Sequence, residues 1–234
     1  MNAATSPRAV VFDMDGVLTD SEPLINAAAI EFFRERGVGV KPEDFLPFVG
    51  TGEDRYLGGV AEKYRIVIEP KAAKRRTYEI YLALVPQRLH AFPGAVGFVA
   101  ECRRAGWKTA IASSADLIKI VANLNQIGLP PEGWDALICG DNVLRKKPAP
   151  DIFLAAALRL GLEPADCVVI EDAVHGVQAA KAAGMRCVAV AQTFPAAVLS
   201  AADLIRDRIA DVTLADLVGQ NRMGGAVPLR FPAV

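Results

Sequence analysis

Two carboxylates one residue apart, Asp13 and Asp15, follow the apolar run Val10-Val11-Phe12 and precede Gly16. The run predicts a buried β-strand. Residues i and i+2 of a strand point the same way, so both carboxylates would emerge together at its carboxyl end. Two such anions repel each other unless a cation lies between them, and Mg²⁺ prefers oxygen ligands and accompanies phosphate. A strand that simply runs into a polar turn at Gly16 is the alternative interpretation.

Three further groups of polar residues follow predicted strands. They are Ser113 and Ser114 after residues 109–112, Lys147 beyond residues 136–139, and Glu171 with Asp172 after residues 168–170. Taken singly, each has an ordinary explanation as a helix cap, a solvated loop or the acidic start of a helix. Because parallel strands end at one edge of a sheet, we expect all of them to meet the first two aspartates in one crevice.

The second half of the chain alternates between short apolar runs and amphipathic segments. Strands are expected at residues 109–113, 136–139, 167–171 and 186–190, and helices at 93–105, 117–127, 151–160 and 173–183. This alternation predicts an α/β fold with a Rossmann-like, doubly wound parallel sheet.

Residues 21–89 break this alternation. Helical periodicity recurs at residues 27–36, 53–64 and 72–84, without a convincing strand between them. The pattern predicts a small all-helical cap domain at residues 21–89, inserted after the first strand, and a core domain made of residues 1–20 and 90–220. The tail, residues 221–234, is expected to be loosely ordered.

Composition narrows the class of protein. With 234 residues, 52% hydrophobic and 23% charged, the chain can form a sizeable core, and its net charge of −1 gives nucleic-acid binding no electrostatic support. No segment resembles a secretory signal or a membrane span, so no membrane association is expected. The four cysteines are scattered singly, which indicates reduced thiols and a cytoplasmic protein, or a protein of the chloroplast stroma if a transit peptide was removed. Protein partners are not identifiable.

The ordered motifs resemble those of the haloacid dehalogenase-like hydrolase superfamily. Asp13-Met14-Asp15-Gly16-Val17 is similar to its first motif, Ser113 to the second, Lys147 to the third and Glu171-Asp172 to the fourth. The helical insert directly after the first motif is similar to the cap of the subgroup that contains phosphoglycolate phosphatase-like and β-phosphoglucomutase-like enzymes.

The resemblance implies phosphoryl transfer through an aspartyl phosphate. Asp13 would be the nucleophile, since a carboxylate stays ionised at neutral pH and forms an acyl phosphate that water can open. Asp15 would protonate the leaving oxygen and then deprotonate the attacking water. Dehalogenases of this superfamily usually lack this second aspartate, so dehalogenation is not expected.

The resemblance also implies a binding role for the remaining motif residues. The ligands it implies for Mg²⁺ are Asp13, Asp15 through its backbone carbonyl, Asp172, and Glu171 either through water or as a partner of a ligand. Lys147 would neutralise the acids and the phosphoryl oxygens. Ser113 would hydrogen-bond the phosphoryl group, and Ser114 is the less favoured alternative.

Two departures from the mutase pattern favour hydrolysis. Ile25 stands where β-phosphoglucomutase-like members carry a histidine, and no arginine occurs near the loop Gly50-Thr51-Gly52-Glu53 before Arg55. The members of this loop, Gly50, Thr51, Gly52 and Glu53, are expected to contact the substrate. We therefore expect a phosphatase acting on a small phosphorylated metabolite such as a sugar phosphate, with a phosphomutase as the alternative.

The loop at residues 47–53 also resembles the hydrolase module of suppressor-of-quenching-type chloroplast proteins, and so does the run Ala112-Ser113-Ser114-Ala115-Asp116. This similarity allows a third hypothesis, a regulatory or interaction module with the same fold. The intact acidic and lysine motifs make that hypothesis the least favoured of the three.

Overall fold

A six-stranded sheet lies at the centre of the structure, a computed structural model that describes residues 8–49 and 51–218. Its strands are β1 (Ala9–Phe12), β2 (Lys108–Ala112), β3 (Ala136–Ile138), β4 (Cys167–Glu171), β5 (Arg186–Val190) and β6 (Leu204–Arg206). Every pairing is parallel, and the strand order is β3-β2-β1-β4-β5-β6. The predicted parallel α/β sheet is confirmed, with β1 in its interior between β2 and β4.

Some of the helices cover the two faces of this sheet, and others form the segment between β1 and β2. The helices are α1 (Glu22–Arg34), α2 (Glu53–Tyr64), α3 (Pro70–Arg88), α4 (Ala95–Arg104), α5 (Leu117–Gln126), α6 (Asp151–Leu160), α7 (Val174–Ala182) and α8 (Leu214–Leu217). The alternation of strand side chains divides the core. Val10 and Phe12 of β1 pack with α4 and α5, whereas Ala9 and Val11 pack with α6 and α7. The sheet is therefore doubly wound, as predicted.

Helices α1 to α3 and a 3-10 helix at Pro42–Phe48 form the segment between β1 and β2. They share a third apolar cluster that is separate from those of the sheet and includes Phe32, Phe45 and Tyr81. The chain enters and leaves this segment at one place, where Thr19 forms an antiparallel bridge with Ala91. The helical character of the insert matches the expectation, while the proposed domain boundaries stay a prediction.

Three elements differ from the expectations. Helix α1 begins at Glu22 rather than residue 27, because Pro23 is well suited to a first helical turn. Helix α3 extends to Pro70–Arg88, and the Glu69 side chain caps its start by accepting hydrogen bonds from two backbone N–H groups. Strand β6 was not predicted, because its three residues are half-buried and form no apolar run. The tail at residues 221–234 lies outside the described residues.

The four cysteines are buried thiols without a disulfide, as the sequence indicated. Over the described ranges 8–49 and 51–218, none of the helices combines the length and apolar character needed to cross a membrane.

Candidate active site

One cavity of about 720 Å³ opens at the carboxyl ends of β1, β2 and β4. Among its lining residues are the predicted site residues Asp13, Asp15, Ser113, Ser114, Lys147, Glu171, Asp172, Gly52 and Glu53. Thr51 is not among the lining residues, and its hydroxyl donates a hydrogen bond of 2.7 Å to the carbonyl oxygen of Phe48. Gly50 lies outside the described residues. The structure therefore brings together residues from five separate stretches of the chain, one of which, Gly52 with Glu53, belongs to the helical insert.

An acid–lysine cluster occupies the floor of this cavity. The Nζ of Lys147 lies 2.5 Å from Asp13 Oδ1 and 2.7 Å from Glu171 Oε1. Asp172 completes the group, since one carboxylate oxygen from each of the three acids lies within 4.8 Å of the others. All four side chains are buried. Two carboxylates thus share one ammonium group, and a third lies beside them.

Two glycines make this packing of acids possible. Gly16 has a φ of +82°, and a Cβ at this position would lie 2.0 Å from Asp172 Oδ2. A Cβ at Gly176 of α7 would lie 1.6 Å from Glu171 Oε1. The other oxygen of Glu171 accepts hydrogen bonds from the backbone N–H groups of Asp172 and Ala173, just before α7 begins. Any larger residue at either glycine would displace a carboxylate.

The electrostatics of the cluster favour a second cation. Burial, together with the nearby charges of Glu171 and Asp15, raises the pKa of Asp13 to about 7 although Lys147 opposes the shift. Burial, together with the nearby charges of Glu171 and Asp13, raises the pKa of Asp172. Burial alone would lower the pKa of Lys147, but Asp13 and Glu171 outweigh it and raise that pKa. A divalent cation with oxygen ligands fits this donor set, because it would supply the positive charge that the acids lack.

The carboxylate of Asp15 points away from the acid cluster, toward a lysine that the sequence analysis missed. Lys119 of α5 lies with its Nζ 2.9 Å from Asp15 Oδ2 and 3.4 Å from Glu53 Oε1. The Ser21 hydroxyl and the Asn123 amide donate to Asp15 Oδ1. The side chain of Asp15 is thereby fixed in orientation, and Lys119 connects the sheet domain to the first residue of α2.

The position of Lys119 explains why it was missed. A lysine within an amphipathic helix usually lies on a solvated face, yet only 3% of Lys119 is exposed. Burial alone would lower its pKa, but the charges of Asp15 and Glu53 raise it. Asn123, one turn later, is also buried and accepts a hydrogen bond from the Tyr81 hydroxyl. The only sequence signal is this pair of polar residues at i and i+4, which gains its meaning from the insert that covers it.

Two further polar contacts shape the site. The Ser113 hydroxyl oxygen accepts a hydrogen bond of 3.2 Å from the N–H of Ala115, and the residue is 1% exposed. Gln192, which the sequence analysis also missed, donates to the carbonyl oxygen of Gly16 at 2.8 Å and accepts from the N–H of Ile209 at 2.8 Å. It therefore braces the loop that carries the first two aspartates.

A parallel sheet whose interior strand ends in a buried carboxylate, with a lysine and further acids from later strand ends around it, defines the class of protein. It is the architecture of haloacid dehalogenase-like hydrolases. A family model described as haloacid dehalogenase-like hydrolase matches residues 7–184, so the chain belongs to this family.

Particular relatives can also be named. The chain is 50% identical over 215 residues to the Arabidopsis thaliana protein SUPPRESSOR OF QUENCHING 1, chloroplastic; the match covers 90% of this chain but 20% of that protein. It is 32% identical to hexitol phosphatase B of Escherichia coli, covering 90% of this chain and 96% of the relative. Among solved structures, CbbY from Rhodobacter sphaeroides in complex with phosphate is 30% identical with a TM-score of 0.80, covering 90% and 98% of the two chains.

Proposed function

We propose that this chain is a Mg²⁺-dependent phosphatase that hydrolyses a small phosphorylated metabolite, such as a sugar phosphate, through an aspartyl phosphate. The observation that carries this proposal is the buried Asp13, held by Lys147 beside Glu171 and Asp172 at the end of an interior strand. The similarity to a hexitol phosphatase over nearly the full length of both chains supports the same reaction class.

The two aspartates of the first motif would divide the chemistry. Asp13 attacks phosphorus, which forms the acyl phosphate bond and breaks the ester bond. Asp15 donates its proton to the departing ester oxygen and afterwards takes a proton from the water that opens the acyl phosphate. Ser21, Asn123 and Lys119 fix the carboxylate of Asp15 in place, which keeps the proton donor oriented through both steps.

The phosphoryl group would be held by the residues that surround Asp13. Lys147 neutralises charge on the phosphoryl oxygens, and the Ser113 hydroxyl donates a hydrogen bond to one of them. Asp13, Asp172 and Glu171 would hold Mg²⁺, which supplies further positive charge to the phosphoryl group when bound. The contact of Asp15 with the metal through its backbone carbonyl stays a prediction, and it would leave the Asp15 side chain free to keep its contact with Lys119.

Hydrolysis is favoured over a phosphomutase reaction. Ile25 is one of the apolar residues that line the cavity, at the position where mutase-like members are expected to carry a histidine. Mutases must also bind a second phosphate, and both lysines that line the cavity are already paired with acids among the described residues.

Phosphate release from a panel of phosphorylated metabolites tests the proposal. We expect turnover in the presence of Mg²⁺, loss of turnover after chelation with EDTA, and loss after Asp13→Asn. Asp207→Asn is the matched control, since it makes the same substitution at an exposed aspartate of the sheet domain. The proposal fails if every compound stays intact, or if Asp13→Asn releases phosphate as fast as the wild type.

An interaction module is the second candidate, because the chain is 50% identical to a fifth of a much longer chloroplastic protein. In that case a partner captured by the wild type would be captured equally by Asp13→Asn, and no phosphate release would accompany it. We propose the cytoplasm as the location of the phosphatase, with the chloroplast stroma as the alternative.

A further inference from the structure

Glu53 reaches the cavity from the helical insert and leaves one oxygen without a partner. The residue begins α2 and is 6% exposed. Its Oε1 contacts Lys119 Nζ at 3.4 Å, whereas its Oε2 is buried without a hydrogen-bond donor among the described residues. Buried carboxylate oxygens nearly always accept a hydrogen bond, since leaving one unpaired is costly. A substrate that donates a hydrogen bond to Glu53 would remove this cost.

The distance between Glu53 and Asp15 indicates which substrate atom would donate. Both carboxylates contact the same ammonium, so the oxygens involved lie within about 6 Å of each other, close enough for strong mutual repulsion without it. Asp15 is proposed to hydrogen-bond the ester oxygen of the substrate. The ammonium of Lys119 occupies that space, so the substrate would reach the free oxygen of Glu53, Oε2. The two oxygens of a carboxylate lie about 2 Å apart, which places Oε2 within about 8 Å of Asp15 Oδ2. Two hydrogen bonds of about 2.8 Å, joined by a staggered O–C–C–O unit of roughly 3 Å, can span that distance. The matching group is therefore a hydroxyl on the carbon next to the ester carbon.

The charges around this position disfavour an anion there. Among the described residues, Lys119 and Lys147 are the lysines that line the cavity, and each is already bonded to two acids. Lys146 approaches the loop at Gly52 but is not one of the lining residues. A substrate carboxylate or second phosphate in direct contact with Glu53 would therefore face a like charge, and neither of the two lysines that line the cavity is free to offset it.

A substrate ammonium is disfavoured for the converse reason. It would have to lie beside the ammonium of Lys119 in order to reach Glu53. A neutral donor avoids both conflicts, because it satisfies the carboxylate and introduces no charge. A hydroxyl is the donor that fits.

We propose, on the basis of the phosphatase function proposed above, that Glu53 is a specificity-determining residue. It accepts a hydrogen bond from a hydroxyl on the carbon adjacent to the ester carbon. It also excludes phosphomonoesters that carry a carboxylate or a second phosphate at that place. Lys119 holds Glu53 in position and leaves it one acceptor oxygen.

Three small substrates isolate the group that Glu53 would recognise: 2-hydroxyethyl phosphate, ethyl phosphate and phosphoglycolate. For the wild type with Mg²⁺, we expect kcat/KM for the hydroxyl compound to exceed that for ethyl phosphate by about tenfold or more, the usual effect of a hydrogen bond to a charged group. We expect the carboxylate compound to be slower than the hydroxyl compound by about a hundredfold, as like charges at this range imply. If phosphoglycolate is hydrolysed as fast as 2-hydroxyethyl phosphate, or ethyl phosphate equals it, the inference is overturned.

Glu53→Gln separates charge from shape. It keeps an acceptor oxygen but removes the negative charge, so discrimination against phosphoglycolate should fall by about tenfold while most of the hydroxyl preference persists. Glu62→Gln is the control, because Glu62 is an exposed acid of the same helix, pairs with Arg55 at the surface and is not one of the residues that line the cavity; it should keep the wild-type ratios. Unchanged ratios in Glu53→Gln would contradict the assignment.

The order of kcat/KM among the three substrates, measured with the wild type, tests the role of Glu53 even if Glu53→Gln does not fold. Hydrolysis of p-nitrophenyl phosphate separates the two proposals, since this compound carries neither a hydroxyl nor a carboxylate at the position in question. If it is hydrolysed with Mg²⁺ but the ranking fails, the assignment of Glu53 alone is overturned. If no phosphate ester is hydrolysed at all, the phosphatase proposal falls and the assignment falls with it.

Discussion

Replacing Lys119 by methionine tests the bridge between the sheet domain and the insert. The substitution keeps an unbranched chain of similar length and removes the ammonium, which leaves Asp15 and Glu53 within about 6 Å of each other. At an effective dielectric constant of about 20, that repulsion amounts to about 3 kcal/mol. Removing one partner of a buried ion pair typically costs about 3–5 kcal/mol. We expect the free energy of unfolding to fall by about that amount.

Urea unfolding at pH 7, followed by far-UV circular dichroism and by tryptophan fluorescence, measures the loss. Both tryptophans, Trp107 and Trp134, pack in the sheet domain, so coincidence of the two signals tests whether the insert unfolds with it. The double variant Lys119→Met with Glu53→Gln no longer has the facing charges and should recover about 2 kcal/mol relative to Lys119→Met alone.

The matched control is Lys181→Met on α7, where the lysine is 40% exposed and pairs with Asp203 at the surface. Its cost should stay below about 1 kcal/mol. A loss below 1 kcal/mol for Lys119→Met, or a double variant whose cost is the plain sum of the two single variants, would refute the bridge as described.

Three further predictions concern the proposed acid, the insert and the acid cluster. Asp15→Asn should reduce hydrolysis of alkyl phosphates by about a hundredfold or more but affect p-nitrophenyl phosphate far less, because that leaving group needs no proton; equal losses in phosphate release would argue against the role. Lys63, Tyr64 and a backbone N–H lower the pKa of Asp44 to about 2, so its contribution to stability is complete above about pH 4 and is lost as the pH falls through 2. Asp44→Asn should therefore lower the free energy of unfolding at pH 7 by about 1–2 kcal/mol, a modest amount because Lys63 is half exposed and its charge is screened by solvent. The urea unfolding curves of the variant and the wild type should converge near pH 2. Gly176→Ala should displace the Glu171 carboxylate and so weaken the stabilisation of the protein by Mg²⁺, which would appear as a smaller rise of Tm on titration with MgCl₂. Gly58→Ala is the control, because Gly58 is a helical glycine with open space around its Cβ position; this variant should show the same rise of Tm as the wild type.

The sequence predicted the parallel sheet because its strands are buried on both faces and therefore read as unbroken apolar runs. The position of the acids at the strand ends followed from the same runs. Strand β6 was not predicted, because an edge strand of three half-buried residues does not form an unbroken apolar run.

The contacts that could not be predicted are those that depend on how the insert lies against the sheet domain. From the sequence alone, Lys119 resembles an ordinary surface lysine of an amphipathic helix. Its contacts with Glu53 and Asp15 are apparent only in the structure. Gln192 likewise gains its role from a loop that lies far away in the sequence. Local patterns predict elements and their burial, whereas these contacts are set by tertiary packing.

The paired linkers of the insert have a consequence for how such proteins can be re-engineered. Thr19 and Ala91 are antiparallel bridge partners, and hydrogen bonds from Asp20 to His90 and from Phe92 to Leu18 flank them. Ends that are bridge partners lie about 5 Å apart, so a two-residue turn could join them as in a hairpin. The helical segment should therefore be replaceable: another segment whose two ends lie equally close together should fit between Thr19 and Ala91 without altering the sheet that carries the acids.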